Sequence, residues 1–208
     1  MKSLEKYWLK ITLVLFLTIS YSITAQTKKL LILGDSISAG YGIKESENWV
    51  SLLENSLNRD SFDIKIVNSS VSGDTTIGGL SRIKNDLTKY RPDYVLVELG
   101  GNDALRGYPL DKIKFNLNKI IDICIKAGTT PIIMQIRIPP NYGKSYVKAF
   151  ESIYPEIAEE NNLKLLSFLM QEVALRKDLM QLDGIHPNAK AQSLIANQIK
   201  QELLEVLK

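Results

Sequence analysis

The chain is poor in the side chains that carry most metal and redox chemistry. Its 208 residues include one cysteine and one histidine. The single Cys124 excludes an internal disulfide and any cysteine-built metal cluster. It falls inside an apolar helical pattern, which predicts a buried core thiol. One histidine leaves only carboxylates as further metal ligands, and no loop has the ordered spacing of a calcium site. The lysine of a P-loop is missing, and no Gly-x-Gly-x-x-Gly follows a strand-like run. No metal or cofactor is therefore expected. A large excess of one charge is also lacking, with 26 Lys and Arg against 23 Asp and Glu. The net charge is +3, and Lys2, Lys6 and Lys10 against Glu5 place two of those charges at the N-terminus. No basic stripe is left, so nucleic acid is not an expected partner.

What is present is an ordinary globular composition, 45% hydrophobic and 24% charged, at a length that suits one domain with one sizeable core. The first residues read as a secretory signal: three lysines, an apolar run over 11–19, then small residues ending at Ala25. The run is too short for a membrane span, and no cysteine follows it to carry a lipid. Residues 1–25 are expected to be a cleaved leader, and residues 26–208 the exported domain, periplasmic or secreted. A monomer is the default for a domain with its own core.

Strand-like and helical patterns alternate along that domain. Strands are expected at 29–33, 62–67, 94–99, 131–136 and 163–166. Helices are expected at 48–57, 77–87, 113–125, 146–160 and 188–207, with Pro155 kinking or restarting the fourth. The strands are apolar on both faces; Glu98 is the exception in the third. This predicts an α/β domain with a parallel sheet covered on each side, with ligands at the carboxyl ends of the strands.

Four segments at those ends could carry chemistry. Gly34-Asp35-Ser36 follows the first strand, where helix-end N–H groups would favour negative charge. Taken alone, it reads better as a plain capped turn, since Gly-Asp-Ser is common in turns. Gly73 could offer a backbone N–H to an oxyanion, or simply be a turn glycine with positive φ. Gly100-Gly101-Asn102-Asp103 offers an amide donor after the third strand, or an Asx-turn. In Asp183-Gly184-Ile185-His186-Pro187, an Asp three residues before the only His can reach back and hold the ring. A serine could then lose its proton to the other nitrogen.

At these four places the chain resembles the GDSL or SGNH hydrolases. The matching blocks are Gly34-Asp35-Ser36-Ile37-Ser38, Gly73, Gly101-Asn102-Asp103 and Asp183-Gly184-Ile185-His186. Leu31-Ile32-Leu33, Val95-Leu96-Val97-Glu98-Leu99, Met134-Gln135-Ile136-Arg137, Pro140-Asn141-Tyr142-Gly143 and Pro187-Asn188 look like the bacterial thioesterase I/protease I/lysophospholipase branch of that family. The resemblance implies a three-layer α/β/α sandwich on a flavodoxin-like, five-stranded parallel sheet. It implies Ser36 as nucleophile, His186 as base and then acid, and Asp183 as orienter. The Ser36 and Gly73 N–H groups and the Asn102 side chain would form the oxyanion hole. Asp35, Gly101, Asp103, Leu105, Ile138, Pro139 and Tyr142 are the expected substrate contacts. The implied substrates are acyl esters, thioesters or lysophospholipids, with transient contact with a membrane surface. Two other readings stand beside it: a carbohydrate O-acetyl esterase on the same scaffold, and a non-catalytic binding module.

Overall fold

The structure, a computed structural model, describes residues 27–207. The leader expected over residues 1–25 lies outside the described residues. Five parallel strands form one sheet in the order β2-β1-β3-β4-β5: β1 (Lys28–Gly34), β2 (Ile64–Asn68), β3 (Tyr94–Glu98), β4 (Thr130–Met134) and β5 (Leu165–Leu166). Successive strand residues point to opposite faces, so each apolar run feeds two cores. Leu31, Leu33, Val95 and Val97 face one core; Leu30, Ile32 and Leu96 face the other.

The helices complete the three layers. α2 (Trp49–Arg59) and α8 (Ala189–Leu203) cover one face through Trp49, Leu53, Leu57, Ile195 and Ile199. α3 (Thr76–Tyr90), α5 (Leu110–Lys126), α6 (Lys144–Glu151) and α7 (Ile153–Asn161) cover the other. Cys124 on α5 is fully buried in that second layer, and burial pushes its thiol up to about 12. Where a single helix over 146–160 was expected, two form. The chain restarts at Ile153, which places Pro155 in a first turn, where its missing N–H breaks no bond.

Two short helices were not expected from periodicity. α1 (Ser36–Ala39) and α4 (Gly101–Leu105) leave β1 and β3 at once. They are too short to show an apolar period. Both lie where the chain order reverses across the sheet, β2 on one side of β1 and β3 on the other. That switch point is the usual ligand crevice of such sheets.

Candidate active site

The site begins with the turn out of β1. Asp35 caps α1 by accepting from the Ile37 N–H at 3.1 Å, and Gly40, at φ 76°, ends the helix. Gly34 leaves no room for a side chain: a Cβ there would sit 2.6 Å from Glu98 Oε2 and 2.9 Å from Ser70 Oγ. The close approach puts Ser36 at the mouth of the sheet.

The β5–α8 connection brings His186 to it. His186 Nε2 lies 2.9 Å from Ser36 Oγ, and Nδ1 lies 2.7 Å from Asp183 Oδ2. Asp183 Oδ1 also accepts from the Ile185 and His186 backbone N–H groups at 2.9 and 3.0 Å. The His186 N–H and ring, then the Ile185 N–H, hold the Asp183 carboxyl down at about 2. An ionised Asp183 can only accept, so in the neutral imidazole Nδ1 carries the proton and Nε2 is left to accept from the Ser36 hydroxyl. Tyr41 lies against the imidazole with ring centroids 4.5 Å apart. Gln181 Nε2 ties the two segments together by donating to Tyr41 O at 2.7 Å and Pro187 O at 3.1 Å.

Asn102, in α4, donates from Nδ2 to Asp35 Oδ2 at 3.0 Å. That bond uses one amide hydrogen, fixes the flip and leaves the other hydrogen available. Behind it stands an acidic pair. Glu98 Oε2 accepts from Ser38 Oγ at 2.6 Å and from the Asp35 N–H at 3.3 Å. Burial above all, then the neighbouring Asp35 charge, pushes Glu98 well above the usual carboxylate range. Burial likewise raises Asp35, to about 6. Two adjacent carboxylates resist ionising together, so Glu98 keeps its proton and Asp35 is the one that ionises. Gly73 has φ 79°, a conformation that disfavours any side chain. Its turn is clamped from both sides. Arg82 binds Asp74 at 2.8 Å and Asp86 at 3.1 Å, and Arg106 donates to Gly73 O at 3.2 Å.

The expected substrate contacts divide. Tyr142 is exposed and donates to Leu105 O at 3.3 Å; Pro139 beside it is exposed, and Leu105 is half-buried. Gly101 is half-buried and packs behind Asp35. Asp35 is buried and accepts from Asn102, which fits it to position a donor. Asp103 needs correction: it is fully buried, accepting from the Thr76 N–H at 2.9 Å and Thr76 Oγ1 at 2.7 Å. It joins α4 to the start of α3. Ile138 also needs correction, because its side chain is buried in the core. The reading missed Tyr41, Gln181 and Arg82, which carry no motif. Glu98 did carry a signal, as the one acid in an otherwise apolar strand.

Comparison with known proteins places this arrangement. The model of the GDSL-like Lipase/Acylhydrolase family matches residues 32–194. An arylesterase of Vibrio mimicus is 44% identical over 197 residues, 95% of this chain and 98% of that one. The thioesterase 1/protease 1/lysophospholipase L1 of Escherichia coli K12 is 44% identical over 191 residues, 91% of this chain and 89% of that one. The crystal structure of the psychrotrophic esterase EstA from Pseudoalteromonas sp., inhibited by monoethylphosphonate, superposes with a TM-score of 0.84 at 42% identity. It covers 86% of this chain and 98% of that one. The chain belongs to the GDSL-like lipase/acylhydrolase family and is an ester-hydrolysing enzyme.

Proposed function

We propose that the chain is an exported serine esterase acting on acyl esters and thioesters, with Ser36, His186 and Asp183 as its triad. One observation carries the reading: Ser36, the ring of His186 and the Asp183 carboxylate lie in a single hydrogen-bonded line of 2.9 and 2.7 Å. Ser36 attacks the acyl carbonyl as its proton passes to His186 Nε2. The oxyanion is met by the Ser36 and Gly73 N–H groups and the free amide hydrogen of Asn102. Collapse expels the alcohol or thiol, which takes the proton from His186. Water then repeats the cycle on the acyl-serine. Asp183 stays ionised throughout and stabilises the imidazolium. Export rests on the lysine-led apolar start of the sequence, and the domain acts as a monomer.

The relative named lysophospholipase supports an acyl substrate of some length. The test is hydrolysis of p-nitrophenyl esters from acetyl to palmitoyl, beside Ser36→Ala. Turnover that depends on Ser36 and favours medium or long chains is the expected result. Turnover confined to acetyl would move the substrate toward acetylated glycans. Turnover that survives Ser36→Ala would end the triad reading.

A further inference from the structure

Among the described residues, ten large apolar side chains stand well exposed, and eight of them belong to one edge of the sheet. They lie in the connections that leave the carboxyl ends of the strands or, for Ile77, in the first turn of the helix that follows. Tyr41 follows β1, Val71 and Ile77 follow β2, and Tyr108 follows β3. Tyr142 follows β4, and Leu175, Leu182 and Ile185 follow β5. The remaining two, Phe115 and Ile125, are on α5. Ile125, one residue before the end of α5, lies toward the opposite edge. Leu175 is 96% exposed and Leu182 110%. Side chains that protrude so fully cannot line a pocket around one substrate molecule. They reach outward, toward something broad. An apolar set gathered on one face marks an interaction site more often than scattered residues do.

Charge selects the partner. The two adjacent connections after β3 and β4, with the first turns that follow, carry Arg106, Lys112, Arg137 and Lys144. None of the four is in an ion pair with another described residue, and Asp111 is the one exposed acid among them. The flanking connections after β1 and β5 are mixed in charge, with Lys44, Arg176 and Lys177 beside Glu45, Glu47, Glu172, Asp178 and Asp183. No helix of the described residues is long and apolar enough to cross a membrane. We propose that the carboxyl edge docks on the surface of an anionic phospholipid bilayer, with its apolar tips in the interface and its cations on the headgroups. The proposal rests on the acyl-ester reading, since docking would set the mouth of Ser36 against the layer that holds such substrates.

The test uses the full chain carrying Ser36→Ala, which cannot turn over lipid. It is sedimented with vesicles of phosphatidylcholine alone or mixed with phosphatidylglycerol. Binding is expected to require phosphatidylglycerol. Leu175→Ser with Leu182→Ser, and separately Arg137→Glu with Lys144→Glu, should each weaken it about tenfold or more. Phe115→Ser with Ile125→Ser removes similar apolar surface from α5 and should leave it intact. Any residues outside the described range are the same in all variants. Equal binding by the edge variants, equal loss in the α5 variant, or equal affinity for phosphatidylcholine alone would overturn the proposal. So would sedimentation without vesicles that shows a dimer broken by the two leucine changes, since the edge would then meet a second copy. Turnover of soluble p-nitrophenyl acetate by the same variants with Ser36 restored should be unchanged. That readout separates failure of docking from failure of the catalytic reading.

Discussion

The two edges of the sheet are built from the same strands and spend their polar groups in opposite ways. The amino edge is held by exposed and half-buried contacts. Asp93 accepts from the Lys29 N–H at 2.8 Å and pairs with Lys28 at 3.2 Å, and Lys164 pairs with Glu205. The carboxyl edge holds all three buried carboxylates among the described residues: Asp35, Glu98 and Asp103. A buried carboxylate costs stability unless it is bonded, and these are bonded to one another's neighbours. The contrast teaches where the fold gives up stability to hold donors and a nucleophile in place.

The comparison is broken most violently at the triad. Ser36→Ala or His186→Ala should cut kcat by roughly 10⁴- to 10⁶-fold with an unchanged melting curve. Steady-state kinetics and calorimetry together check this; a modest loss would move the chemistry elsewhere. Asn102→Ala comes next. Loss of one oxyanion donor costs about 2.7–4 kcal/mol of barrier, or roughly 10²- to 10³-fold in kcat. Full turnover in that variant would remove its amide from the mechanism.

Asp35→Asn should separate stability from activity. Folded Asp35 gives up its proton at about 6, against an ordinary 3.8. The folded state therefore loses stability as pH rises from 3.8 to about 6, and the deficit persists at neutral pH. It is on the order of 3 kcal/mol. Asparagine keeps the cap on α1 and removes the charge beside Glu98. The variant should be more stable at pH 7, with the advantage fading as pH falls to 4. It should lose about tenfold in kcat, because the bond to Asn102 is no longer charge-assisted. Denaturant titrations across that pH range test the first half. The smallest effect belongs to the other edge. Asp93→Ala should cost about 1 kcal/mol and leave kcat alone; a change in kcat would show that the two edges are coupled.

Much of this was legible in the sequence because strands buried on both faces write unbroken apolar runs. Val95, Leu96 and Val97 announce β3, and the carboxyl ends then say where to look. The residues now brought together at Ser36, Asn102, Asp183 and His186 were named from turn chemistry and resemblance. What was not legible depends on tertiary contact. Asp103 lies next to Asn102 in sequence, but the helical turn of α4 sends its side chain inward to Thr76. Ile138 follows a strand end yet folds back into the core. Tyr41 reaches His186 only because Gly40 reverses the chain after α1. A polar residue in a buried run, as with Glu98, is the one such signal a sequence does carry.

The central claim is that Ser36 is the nucleophile and that His186 takes its proton. It is tested most directly by treating the chain with p-nitrophenyl ethylphosphonate. The Ser36 oxygen would bond to phosphorus, nitrophenolate would leave, and the hydroxyl proton would pass to His186. Mass spectrometry should then find one adduct, on the tryptic peptide spanning residues 30–44, with activity lost in step. The same peptide should stay unmodified in Ser36→Ala and react far more slowly in His186→Ala. An adduct on any other peptide, or one that persists in Ser36→Ala, would contradict the account.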